Sequence, residues 1–244
     1  MFVVLSLKKL LFWLLLAGIV LLAVYCIANA PNSGAQPAVS YDLGELPMLI
    51  IDPGHGGVDG GAVSVNGVNE SVINLDIAKK MELMCEFMGF PVLMTRESEE
   101  LDYPDDCTTI AARKRHDQKS RVAFINAAEN AVVLSIHQNS FPSSKPYGPQ
   151  SFYTNDEAAQ SLATLVQDCL NEALCPEKRR VAAPVAKSIY LMKSIDYPGV
   201  LVECGFVSNK REAALLETEE YRLKIACAVM GAYSQHIFTE DEIG

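Results

Sequence analysis

The chain has 244 residues, half of them hydrophobic, and 20 lysines and arginines against 30 acids give it a net charge of −10. That length accommodates a membrane segment and one domain of roughly 200 residues with a substantial core. The acidic balance excludes a nucleic-acid binder, which needs a positive footprint.

Lys8 and Lys9 precede nineteen apolar or small residues, Leu10 to Ala28. This run exceeds the roughly 7–15 residues of a signal h-region and approaches the ~20 that a helix needs to cross hydrocarbon. Residues 1–30 therefore read as a hydrophobic helix that anchors the chain, or as a signal peptide cut at Ala28-Asn29-Ala30. In both cases the lysines send the rest of the chain across the membrane, to its extracytoplasmic face or beyond. Without these thirty residues the net charge deepens to −12. Residues 31–46, rich in Pro, Asn, Ser, Gly and Gln, read as a linker.

Residues 47–240 alternate strand and helix patterns. Met48 to Asp52 is an apolar run that enters Pro53-Gly54-His55-Gly56-Gly57. Apolar residues at 73, 77, 81, 84 and 88 give Glu70–Met88 a helical spacing, with Gly89 as its C-cap. Phe90 to Thr95 reads as a second strand, Arg96 to Cys107 as an acidic loop, and Thr109 to Glu129 as a second helix. Val132 to Ile136 is a third strand that runs into His137-Gln138-Asn139, and residues 138–150 form a loop. Ser151-Phe152-Tyr153 reads as a short strand, with Asn155 capping a helix from Asp156 to about Leu174. Residues 175–187 look irregular, and Ser188–Met192 and Gly199–Glu203 read as two more strands. Asn209 and Thr218 suit caps for two closing helices. The pattern predicts a single α/β domain with a central, mostly parallel sheet flanked by helices on both faces.

Three apolar runs thus end in residues able to bind a metal or move a proton: His55, His137 and Glu203. In open α/β sheets, sites form at the carboxyl ends of the strands. Glu70 opens a helix after the loop that carries His55, so it either complements the helix dipole or returns to the same cleft. Glu203, ending Gly199-Val200-Leu201-Val202, faces desolvation unless paired or bound to a cation. Two histidines and one carboxylate suit zinc, and a further carboxylate then serves as general acid and base. Residue chemistry alone leaves open which glutamate is the ligand. Arg96 follows the second strand and is expected to pair with an acid; His116 and His236 are expected to be solvated or packed rather than catalytic. The basic clusters at 113–115 and 178–180 read as a solvated helix face and a loop. Six cysteines lie beyond the apolar segment without a C-x-x-C pair, so a thiolate zinc site is not expected. Cys85, Cys169 and Cys227 fall on apolar faces of the expected helices, where free thiols are ordinary, so no essential disulfide is expected either.

The segments Asp52-Pro53-Gly54-His55-Gly56-Gly57 with Asp59 and Gly61, Asn69-Glu70, Ser135-Ile136-His137-Gln138-Asn139 and Val202-Glu203-Cys204-Gly205-Phe206 occur together in that order. In this the chain resembles the zinc-dependent N-acetylmuramoyl-L-alanine amidases of bacterial cell walls, over about residues 47–238. The resemblance implies that His55, Glu70 and His137 bind Zn2+ and that Glu203 is the catalytic acid and base. It implies hydrolysis of the amide between N-acetylmuramic acid and L-alanine in peptidoglycan. The short architecture further resembles the germination-specific amidases of spore formers. That likeness implies a role in the spore cortex, ahead of muramic-lactam formation, with peptidoglycan as partner and membrane contact through the N-terminal segment. An accessory or activating protein of unknown identity fits an enzyme that lacks an evident inhibitory insert. The rivals are a vegetative wall amidase, a zinc carboxypeptidase on wall peptides, and an inactive wall-binding scaffold.

Overall fold

The structure, a computed structural model, describes residues 46–240. The anchor or signal segment expected at 1–30, and the expected linker up to residue 45, lie outside them. Among the described residues no helix is long and apolar enough to cross a membrane.

The strands are β1 (Met48–Pro53), β2 (Val92–Met94), β3 (Ala131–Asn139), β4 (Gln150–Tyr153), β5 (Ala183–Pro184) and β6 (Gly199–Phe206). The helices are α1 (Glu70–Met88), α2 (Ile110–Asn126), α3 (Glu157–Leu174), α4 (Tyr190–Ser194), α5 (Lys210–Leu216) and α6 (Glu219–Glu240). The strands form one sheet in the order β2-β1-β3-β6-β4-β5. β2, β1, β3 and β6 are mutually parallel, whereas β4 runs antiparallel to β6 and carries β5 on its outer edge.

Strand side chains alternate between two layers, which explains why the central strands are apolar throughout. Leu49, Ile51, Leu134, Ile136, Val200, Val202 and Cys204 face α1, α3 and α6, where Ile77, Met81, Val166, Leu170, Val229 and Tyr233 are buried. Ile50, Val133 and Leu201 face the other way, against Ile125 of α2 and Leu191 and Met192 of α4. Each such Leu, Ile or Val side chain contributes about 1.5–3 kcal/mol on burial.

The expected three-layer arrangement is present, with local differences. Ser188–Met192, expected as a strand, instead leads into the single turn of α4. Leu191 and Met192 are consecutive and both buried in one layer. A helical turn can bury neighbours together, whereas a strand would send them to opposite faces. The irregular 175–187 stretch contains the two-residue β5, whose Pro184 is tolerated at a sheet edge. Asp156, rather than Asn155, caps α3, accepting from Ala159 N at 3.0 Å. Thr109 and Asn209 cap α2 and α5 through their side chains. The six described cysteines are free, with Cys85 and Cys204 in the core and Cys227 exposed.

Register aligns the carboxyl ends of the central strands. Asp52 lies opposite Ser135, and His137 opposite Glu203. Asp52 is buried, and Arg121 of α2 donates to its Oδ1 at 2.8 Å. Thr95 and Ser135 hydroxyls donate to the same carboxylate at 2.6 and 2.7 Å. Burial alone would raise the Asp52 carboxyl, but Arg121 and the two hydroxyls hold it down at about 2, against an ordinary 3.8. The folded value lies below the unfolded one, so this group stabilises the fold above about pH 4, and that contribution is lost as pH falls towards 2. Replacing Arg121 by Met strands the buried carboxylate, and urea denaturation at pH 7 is expected to show a loss of about 3–5 kcal/mol. The deficit is expected to shrink as the pH is lowered through 4.

Candidate metal centre

His55 stands in the turn that follows β1, with φ 63°, a left-handed conformation uncommon for any residue but glycine. Gly56 and Gly57 follow with φ 126° and 55°. Two buried guanidiniums hold this turn. Arg121 donates to Pro53 O at 2.8 Å and to His55 O at 2.6 Å. Arg96 donates to Pro53 O at 2.9 Å and Gly54 O at 3.1 Å, and pairs with Glu99 at 2.9 Å, so the acid partner expected for it is present. Every carbonyl from Pro53 to His55 thus receives a charge-assisted bond, which secures a backbone shape that would otherwise relax.

The turn, α1 and β3 converge. Glu70 is the first residue of α1 and is only 3% exposed. Its Oε1 lies 3.0 Å from His137 Nδ1 and 3.4 Å from His55 Nε2, and it accepts from Gln138 N at 2.9 Å. Its Oε2 accepts from Ala62 N at 2.9 Å. The two imidazole rings stand edge to face, 5.0 Å apart. Burial would raise the Glu70 carboxyl, but His137 and His55 drive it far below the usual carboxylate range. Its ionised form is therefore the favoured one. Burial would lower His55, but Asp59, 3.1 Å from its Nδ1, and Glu70 lift it to about 9.

Glu203 stands across the β3–β6 ladder from His137. Its Oε2 is buried and has no hydrogen-bond partner among the described residues. Burial and the charge of Glu70 push the carboxyl up to about 7, against the opposing pull of His137 and His55. The four predicted residues therefore form one constellation, and their environments separate the two glutamates. Glu70 is held ionised among imidazoles, and Glu203 is poised between protonation states near neutrality.

The side chains fit a divalent metal. Donor atoms of His55, Glu70 and His137 all lie within 4.8 Å of one another. Two imidazoles and a carboxylate are the donor set of open catalytic zinc sites. Glycines make the room: a Cβ on Gly54 would sit 2.2 Å from His137 ring atoms, and one on Gly61 would sit 2.6 Å from Glu70 Oε2.

A model of the N-acetylmuramoyl-L-alanine amidase family matches residues 49–234, a span that includes all four residues. The chain belongs to this amidase family, and it is a hydrolase. It is 36% identical over 236 residues to the germination-specific N-acetylmuramoyl-L-alanine amidase of Bacillus subtilis (strain 168), covering 96% of this chain and 97% of that amidase. It is 32% identical over 213 residues to the amidase LytC of the same organism, covering 83% of this chain but 39% of LytC. The fold superposes on the CwlD amidase from Clostridioides difficile, solved in complex with the GerS lipoprotein, with a TM-score of 0.75 and 34% identity over 79% of this chain and 99% of that one.

The amidase site also contains residues that the sequence did not single out. Asn74, one turn into α1, donates to Gly54 O at 3.1 Å and accepts from Gln138 Nε2 at 3.1 Å. Arg121 is as buried as a core residue. In the sequence it is one charge among many on a polar helix, and its only local signal is Asp117 one turn earlier, which it meets at 3.0 Å. Asn139 follows a ladder irregularity, and its carbonyl accepts from Val207 N. His116 sits on α2 against Ser120, and His236 is buried in α6. Substituting Gly54 by Ala is expected to push the His137 ring aside and weaken uptake of a divalent metal about tenfold or more. Titration with a chromophoric competitor measures that loss, and a thermal melt of the metal-free protein checks the fold.

Proposed function

We propose that this amidase uses zinc and acts on spore-cortex peptidoglycan at the extracytoplasmic side of the membrane. The observation that carries the zinc reading is the cluster of His55, Glu70 and His137 donor atoms beside a buried, unpartnered Glu203 oxygen. Bound there, zinc would polarise the scissile carbonyl and acidify water.

The chain's own residues supply the rest. Glu70 and the imidazoles would hold the ion, with Glu70 fixed by the Gln138 and Ala62 amides so that its oxygens cannot swing away. Glu203 Oε2 takes a proton from the attacking water and returns it to the departing L-alanine nitrogen. A carboxyl with its value near 7 can serve in both directions, whereas one near 4 would be a poor acid for the second step. The products are the lactyl carboxylate of N-acetylmuramic acid and a stem peptide with a free L-alanine amine.

The cortex assignment is supported by likeness along nearly the full length of both chains to a germination-specific amidase. In that setting the enzyme clears stem peptides from muramic acid ahead of lactam formation. A vegetative wall amidase would share the same site, as the partial match to LytC illustrates. An inactive scaffold is disfavoured because all three ligand positions and Glu203 are retained. The complex of the related CwlD amidase with a lipoprotein supports an accessory partner for this chain too. The N-terminal apolar run supports attachment to the membrane or passage through it.

Purified muropeptides are expected to release intact stem peptides beginning with L-alanine, read by mass spectrometry; loss of terminal D-alanine alone would instead identify a carboxypeptidase. Chelation is expected to abolish cleavage and stoichiometric zinc to restore it. Glu203→Gln is expected to lower kcat by about 10²–10⁴-fold with zinc content unchanged.

A further inference from the structure

We infer that Asp59, presented by Lys114 of α2, is a positioning residue that selects which nitrogen of His55 faces the metal and thereby sets zinc affinity. The inference rests on the zinc reading above and adds to it two residues outside the ligand set.

Both oxygens of Asp59 are committed. Its Oδ2 lies 3.1 Å from His55 Nδ1, and its Oδ1 accepts from Lys114 Nζ at 2.7 Å and from Gly61 N at 3.2 Å. The backbone beneath is closed on itself, since Gly56 N donates to Asp59 O at 2.7 Å and Asp59 N to Gly56 O at 2.9 Å. The carboxylate therefore cannot turn away from the ring without breaking several bonds together. Once the ring gives up one proton to admit a metal, a carboxylate at Nδ1 keeps the remaining proton on that nitrogen and leaves the lone pair on Nε2. Nε2 is the nitrogen turned towards Glu70, 3.4 Å from its Oε1. The tautomer that Asp59 enforces is thus the one that aims a donor into the cluster.

Lys114 ties this arrangement to α2. Lys114, Asp117 and Arg121 follow at spacings of three and four, so they share one face of the helix. Arg121 grips the His55 carbonyl and Lys114 holds Asp59, so one helix fixes both the backbone and the ring orientation of a single ligand. The competing account makes Asp59 an ordinary turn residue serving Gly61 N, and Lys114 a half-exposed ion pair of small worth. The two accounts differ in what happens to the metal. Asn at position 59 still accepts from Gly61 N, but it no longer presents a charged acceptor to the ring.

The test compares zinc affinity of the full-length parent, Asp59→Asn and Lys114→Met by competition with a chromophoric chelator. Imidazole 15N spectra are recorded alongside, and they are tractable because the chain has 4 histidines. Affinity is expected to fall about 10–100-fold in Asp59→Asn, and about two- to fivefold in Lys114→Met, as for loss of a half-exposed pair. In the zinc-loaded parent, His55 should carry its proton on Nδ1 and its metal-shifted resonance on Nε2. An Asp59→Asn affinity within twofold of the parent, or zinc on Nδ1, overturns the inference while leaving the zinc assignment intact. If Asp59→Asn does not fold, Lys114→Met decides alone, and unchanged affinity there overturns it. A parent that takes up no zinc overturns the metal reading and this inference with it.

Discussion

The site depends on one strained turn held by two buried positive charges. The chain leaves β1 at Pro53 and must reverse at His55 in a left-handed conformation. Within the turn, the glycines and the paired Gly56–Asp59 backbone hydrogen bonds favour that shape. Arg96 and Arg121 provide the constraint by capturing the carbonyls of residues 53 to 55, and Asp52 compensates one of those guanidiniums at the end of the strand. Neither arginine touches a proposed ligand side chain. Yet they secure the backbone from which the imidazole at 55 reaches the donors supplied by α1 and β3.

On that frame the chemistry is divided by environment rather than residue type. Glu70 and Glu203 are the same amino acid within one cluster. Glu70 has two backbone amides and two imidazoles within reach, so its ionised form is favoured. Glu203 has a buried oxygen without a partner, so its ionised form is penalised. Pairs of carboxylates whose environments push their acidities apart mark acid and base assignments in many enzymes. Here the division supports Glu70 as the carboxylate to anchor a cation and Glu203 as the one to move a proton, roles that residue chemistry leaves open.

Much of this was legible in the sequence because the central strands are buried on both faces and end in polar residues. A run such as Val132–Ile136 cannot be a surface element, and its last step into His137 places an imidazole at a strand end. The supporting residues were less visible. Arg121 and Lys114 lie on a helix with a mostly polar surface, and their partners at 52 and 59 are distant in sequence. No local periodicity reports such contacts. Ser188–Met192 is ambiguous for a local reason, since a short run of apolar and aromatic residues suits a strand and a buried helical turn equally until its layer is known.

Cys204, directly after Glu203, is packed in the core without a disulfide partner. Burial and the neighbouring carboxylates push its thiol far above the ordinary value, so it carries no appreciable thiolate. A thiolate there would be open to peroxide and to thiol exchange, and would compete for any soft metal. Kept protonated and enclosed, the sulfur is a poor nucleophile and a poor ligand, so the residue beside Glu203 packs as a small hydrophobe.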